Sequence, residues 1–366
     1  MHLIDHEPVQ LLTPDGVRVA HPEYSYAGDD SDIRLLYRDL VLVRRIDTEA
    51  TALQRHGELG LWAPLRGQEA AQVGSGRALL PQDFAFPTYR EHGVAWCRGV
   101  DPIAMLPMFR GSALSGWAPE EYRLAVPSIV IGAQTLHATG YAMGLTLDGQ
   151  VGHQDPDRDA ATIAYFGDGA TSQGDVNEAF VWAAVFEAPV VFFCQNNQWA
   201  ISAPASRQTT VPLAQRAAGF GFPGIRVDGN DVLACQAVTA AALHTARDGG
   251  GPTLIEACTY RMGAHTTSDD PTRYRDAEEL AAWEAKDPLT RVRTYLEAVG
   301  TPPTFFDDLD REAELLGERL REGCKALPEP DLATLFDQVY AGGSPELAEQ
   351  RRTYEGYRGS FEESAS

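Results

Sequence analysis

An aspartate between two glycines, Gly167-Asp168-Gly169, follows the apolar run 161–166, and about thirty residues further on Gln195-Asn196-Asn197 follows a second apolar run, 189–194. A carboxylate and a side-chain amide are hard oxygen donors, of the kind that hold Mg²⁺ while phosphate oxygens and water complete its shell. The glycines let backbone come close to a phosphate, and a helix opening after Gly174 would aim its free N–H groups at one. A diphosphate with Mg²⁺ fits this constellation. Asp-Gly alone is an ordinary turn signal; the two flanking runs raise it above that. Two nucleotide fingerprints fail: Ser172 stands at the third glycine of G-x-G-x-x-G, and no G-x-x-x-x-G-K-[ST] occurs.

Such residues need a scaffold that brings strand ends together. The runs 161–166 and 189–194 read as buried strands and 175–187 as a helix between them, which makes a β-α-β unit. Parallel strands joined by a crossover helix end on one edge of the sheet, where ligands of open α/β sheets bind. Further strands are expected at 225–228 and 253–260, with a helix from a cap at Asn230 to about Arg247 between them. Upstream, Ile33, Leu36, Tyr37, Leu40, Val41 and Ile46 recur at helical spacing, with Ser31 or Asp32 as cap and Gly57 as stop. Shorter helices are expected at 68–80 and 130–147, the second rich in Ala and Gly and suited to close packing, with His137 as a packing residue. The fold class expected is α/β, a parallel sheet flanked by helices. An extended arm over 1–30 precedes an α/β domain over 31–275, and a helical region over 276–366 packs on it, with helices near 277–286, 288–298 and 305–325.

The 366 residues carry 52 Asp and Glu against 30 Lys and Arg, a formal charge of −22. That balance works against nucleic acid, whose binders present a basic face. With 44% hydrophobic residues the chain can bury a large core without staples. Five scattered cysteines without C-x-x-C indicate neither a disulfide framework nor zinc, and fit a reducing compartment. No apolar stretch approaches the roughly 20 residues of a membrane helix. The first residues lack the basic and apolar regions of a cleaved leader. A cytoplasmic protein with neither membrane nor nucleic-acid partners is expected.

Four segments then occur in order: Tyr165-Phe-Gly-Asp-Gly-Ala-Thr-Ser-Gln-Gly-Asp175, Gln195-Asn-Asn-Gln-Trp-Ala-Ile-Ser202, Arg226-Val-Asp-Gly-Asn-Asp231 and Thr259-Tyr-Arg-Met-Gly-Ala-His-Thr-Thr-Ser-Asp-Asp270. With them the chain, from about residue 31 to 345, resembles the α subunit of the thiamine diphosphate-dependent decarboxylating component of 2-oxo acid dehydrogenase complexes. Ala200-Ile201-Ser202 and the Thr-Ser-Asp-Asp run are similar to the branched-chain type. The resemblance implies the thiamine diphosphate-binding fold, with Mg²⁺ held by Asp168, Asn197 and the backbone carbonyl of Trp199. It places Gly167, Gly169, Tyr89 and Arg90 on the cofactor, with Arg90 at the diphosphate, and Ile131 as an apolar prop beneath the bent cofactor. His265 aligns with the family's active-site histidine, which steadies substrate and assists acyl transfer to lipoyl. Without the match, Arg90 and Glu91 could be a surface pair and His265 a structural histidine.

Departures are visible too. Gln195 stands where some relatives carry Arg, Ile129 where they carry serine, and Ala133 where they carry a threonine linked to a monovalent cation, so no potassium site is inferred. Thr266 stands where kinase-regulated relatives have serine, which argues against phosphorylation. In the resembled family a separate β chain supplies the glutamate against the aminopyrimidine ring. The implied assembly is therefore an α2β2 heterotetramer that decarboxylates a small branched-chain 2-oxo acid and passes the acyl group to lipoyl on a dihydrolipoyl acyltransferase. The alternatives are pyruvate as substrate and, in another class, a Mg²⁺-nucleotide-binding or regulatory α/β protein, since fold alone fixes no function.

Overall fold

The computed structural model describes residues 7–113, 115–329, 334–337 and 339–363; parts of the expected arm (1–6) and C-terminal region (330–333, 338, 364–366) lie outside the described residues. Five parallel strands form the main sheet: β1 (Phe84–Phe86), β2 (Thr162–Gly167), β3 (Val190–Asn196), β4 (Gly224–Asp228) and β5 (Thr253–Cys258), in the order β1-β2-β3-β5-β4. Strands β2 and β3 are buried on both faces, which is why each reads as a near-continuous apolar run. Their two-residue period splits the core. Ile163, Tyr165, Val191, Phe193 and Ile255 face one side; Ala164, Phe166, Val190, Phe192 and Leu254 face the other.

The first side is covered by helices α1 (Asp30–Arg55), α2 (Glu69–Arg77) and α6 (Val232–Arg247), with the short α3 (His92–Cys97) beside α2. The second is covered by α4 (Ala133–Leu147) and α5 (Gly174–Val185). Helix α1 begins earlier than its hydrophobic period indicates. Asp29 is the cap, its carboxylate accepting from the N–H groups of Ser31 and Asp32, while the Asp32 carboxylate accepts from Asp29 N–H. Likewise Asp231, not Asn230, caps α6; the Asn230 amide is spent on the Lys286 carbonyl and the Thr259 hydroxyl. Strand β1 has no sequence signal, because three residues are too short for a period; pairing with Thr162 to Ala164 makes it a strand.

The segment before α1 lies along edge strand β4, where Val9 pairs with Val227, and it buries Leu11 and Leu12. At the other end, α7 (Pro288–Ala298) leads to α8 (Pro303–Lys325), which lays Phe306, Leu309, Ala313, Leu316 and Leu320 against the core beside α1. Helix α9 (Pro345–Glu363) follows. Among the described residues no helix is long and apolar enough to cross a membrane.

Candidate active site

The sheet register Gly167↔Gln195 and Asn196↔Cys258 brings the carboxyl ends of β2, β3 and β5 to one edge, and β1 ends beside them. From these ends come Tyr89 and Arg90, then Gly167, Asp168 and Gly169, then Asn197 and Trp199, and finally His265. With Ile131 from the turn before α4, they all line one cavity of about 720 Å³. Residues more than a hundred positions apart in sequence thus meet, as open parallel sheets require.

At the oxygen-rich end, Asp168 is 2% exposed, and burial pushes its carboxyl up to about 6. Gln208 Nε2 lies 3.2 Å from its Oδ2. Asn197 donates from Nδ2 to Gln68 Oε1 at 3.0 Å and accepts at Oδ1 from the Trp199 N–H at 3.2 Å. The Trp199 carbonyl accepts from Arg261 Nη1 at 2.9 Å. A Cβ on Gly169 would lie 2.7 Å from the Ala200 methyl, whereas one on Gly167 would meet nothing within 4 Å. A short 3₁₀ turn, Asp168–Ser172, separates β2 from α5, so Gly167 to Ala170 and Gln173, rather than Gly174, border the cavity.

This donor set suits a hard cation: a desolvated carboxylate gains from a nearby positive charge, and an amide oxygen lies beside it. Among the described residues no group of three or more His, Cys, Asp or Glu could hold a metal. An ion at Asp168 would therefore depend on neutral oxygens and on those of a bound phosphate, which matches Mg²⁺ rather than Zn²⁺.

The adjoining wall is cationic. Arg90 donates to the Pro64 carbonyl and, from Nη2, to the His265 carbonyl at 2.8 Å. The same Nη2 lies 3.3 Å from His265 Nδ1, and Arg261 Nη1 lies 3.4 Å from it. Two guanidinium donors at Nδ1 make that nitrogen the acceptor and leave the proton on Nε2. Burial, with Arg90 and Arg261 adding to it, lowers the imidazole to about 4, so it is neutral near pH 7. Asp269 holds the loop by accepting from the His265 N–H at 2.8 Å and from the Tyr274 hydroxyl. The Tyr89 ring meets the imidazole edge-on at 6.2 Å. Gln195 is committed inside the wall: Nε2 donates to Glu91 Oε1 at 2.7 Å, and Oε1 accepts from Gln72 at 3.1 Å.

Three cavity-bordering or adjoining residues had no sequence signal strong enough to be singled out. Arg261 sits inside the quoted Thr259 to Asp270 segment, four residues before His265, and its charge in an apolar context was the available clue. Gln68 and Gln208 reach Asn197 and Asp168 from the cap position before α2 and from a loop, and no local pattern marks them.

The chain belongs to the Dehydrogenase E1 component family, whose model matches residues 37–302. Members of this family are thiamine diphosphate-dependent 2-oxo acid dehydrogenases. Over 350 residues it is 48% identical to the 3-methyl-2-oxobutanoate dehydrogenase subunit alpha of Mycobacterium tuberculosis, covering 95% of this chain and 93% of that one. Over 356 residues it is 39% identical to the pyruvate dehydrogenase E1 component subunit alpha of Staphylococcus epidermidis, covering 95% and 92%. The Staphylococcus aureus counterpart is 39% identical over 357 residues, with the same coverage.

Proposed function

We propose that this chain is the α half of an enzyme that oxidatively decarboxylates a branched-chain 2-oxo acid and delivers the acyl group to lipoyl of an acyltransferase. The observation that carries the reading is the meeting of Arg90, Asp168, Asn197 and His265 on one cavity in a chain with 48% identity to a branched-chain relative. Leu61, Met108, Phe109, Ile129 and Ile131 give the cavity apolar walls suited to a branched aliphatic group. Asp168, Asn197 and the Trp199 carbonyl would hold Mg²⁺, while Arg90 and the Gly167 to Gly169 backbone would receive the diphosphate. Thiamine diphosphate, when bound, supplies the thiazolium that accepts the electrons of the departing carboxylate. His265, neutral with its proton on Nε2, would donate to a substrate oxygen, and its two guanidinium neighbours keep it in that tautomer.

The partner is a β chain in an α2β2 assembly. An exposed apolar face supports this: Val130 and Ile131 before α4, Leu147 at its end, and Val181, Trp182, Val185 and Phe186 at the end of α5. Gly140 and Gly144 lie in α4 with open space where a Cβ would stand. Residues 31–275 would carry the site, braced by the described part of the arm and by α7 and α8. The reconstituted pair should turn over 3-methyl-2-oxobutanoate faster than pyruvate, and the α chain alone should turn over neither. Robust turnover by the single chain would refute a shared site, and a preference for pyruvate would refute the substrate class.

A further inference from the structure

We infer that Gln68 is a cofactor-site residue: its carboxamide oxygen orients the Asn197 amide, and its Nε2 donates to an anionic oxygen at the diphosphate end of the cavity. The inference rests on the reading that Asp168 and Asn197 hold Mg²⁺ beside a diphosphate. Gln68 occupies the cap position of α2, where Ser, Thr, Asp or Asn would bind the helix's free N–H groups. Its side chain makes no such bond. It lines the cavity instead, 1% exposed, with Oε1 accepting from Asn197 Nδ2 at 3.0 Å and with Nε2 buried and unpartnered. Buried amide donors are almost always satisfied, and the cavity that Gln68 lines is where an acceptor can enter.

The backbone fixes this placement. Gly67 has φ +97°, and a Cβ there would lie 2.2 Å from the Tyr260 carbonyl oxygen. The Gly67 carbonyl accepts from the Thr259 hydroxyl at 2.7 Å, and Gln68 N–H donates to the Leu65 carbonyl at 2.8 Å. These locks fix the backbone, and at 1% exposure the packing around the side chain leaves it little freedom to turn away. Because Oε1 takes the Nδ2 end of Asn197, a cation would meet Oδ1, whose second lone pair stays open beside the bond it accepts from the Trp199 N–H. A diphosphate oxygen and the carboxylate of a 2-oxo acid share the required chemistry. The bond to Asn197 places Gln68 at the diphosphate.

The test is calorimetric titration of thiamine diphosphate into the α2β2 assembly with saturating Mg²⁺ and no 2-oxo acid. Gln68→Met keeps the bulk and removes both polar groups, and should weaken binding about ten- to a hundredfold. Gln68→Glu keeps an acceptor for Asn197 but adds a negative charge, and should weaken binding further. In combination with Asn197→Ala, Gln68→Met should cost less than it does alone, since part of its effect runs through Asn197. Unchanged affinity in either folded single variant overturns the inference, as does a raised KM for the 2-oxo acid at unchanged cofactor affinity. Asp168→Ala separates the two levels. If it too leaves affinity unchanged, the metal reading itself fails; if it abolishes binding while Gln68→Met does not alter it, only the role of Gln68 fails.

Discussion

Asp231 and Asp168 both lie just beyond strand ends, both are buried, and burial pushes both carboxyls up to about 6. Their surroundings differ. Asp231 accepts from the N–H groups of Leu11 and Leu12 at 2.6 Å each and from those of Leu233 and Ala234 at 3.0 and 3.1 Å. It caps a helix and ties the N-terminal segment to it. Asp168 has a side-chain donor at 3.2 Å, borders a large cavity, and stands near Gln68, whose Nε2 lacks a partner. A similar shift therefore marks a staple in one place and a candidate site in the other. What separates them is how many N–H groups the protein aims at the carboxylate and whether a cavity opens beside it.

Four experiments would break or sharpen this contrast. The largest effect is expected for Asp168→Ala, which should abolish Mg²⁺-dependent thiamine diphosphate binding, because neutral oxygens cannot balance the ion beside a diphosphate. Calorimetry showing unchanged affinity would make Asp168 another structural carboxylate. Next comes His265→Ala, which should lower lipoyl-coupled turnover about a hundred- to ten-thousandfold while cofactor affinity and Tm hold. Full coupled activity, or loss through unfolding alone, would return His265 to a structural role.

Asp231→Ala should act the other way round. Four N–H groups lose their acceptor, so stability should fall by about 2 kcal/mol or more, read as a lower Tm. Cofactor affinity per folded molecule should not move; if it does, the two regions are not independent. The smallest effect is a slope. Native Asp231 takes its proton near 6 and the unfolded chain near 3.8, so its contribution to stability grows as pH falls through that window and is constant above it. His92, stacked on Trp62, is lowered by burial to about 3, so its contribution is complete above about 6.5 and is lost as pH falls toward 3. Asp231→Asn and His92→Gln should thus change the pH dependence of Tm with opposite signs, each by at most about 1.4 kcal/mol per pH unit. Equal signs would show that hydrogen bonding outweighs burial at Asp231.

Strands β2 and β3 were legible because a strand buried on both faces must be apolar throughout, and the turns after them because Gly-Asp-Gly and Asn-Asn interrupt that pattern abruptly. Helices α1, α6 and α7 were legible from the sequence, α7 at its expected bounds, with the cap of α1 two or three residues and that of α6 one residue from the expected position. A cap is chosen by which carboxylate reaches free N–H groups, and Asp29 and Asp231 each had polar neighbours equally eligible on paper.

The sequence by itself determined the alternation of elements, the order of the motifs and, through the glycines, where backbone can approach a bound group, since each of these depends on residues within a few positions of one another. Tertiary structure decided which distant groups became partners. Gln68 met Asn197, Arg261 came to lie between the Trp199 carbonyl and His265, and Leu11 and Leu12 closed on Asp231. The physical reason is that such bonds are set by how helices pack against a twisted sheet. Buried donors and acceptors pair with whatever that packing brings within about 3 Å, and no local period encodes it.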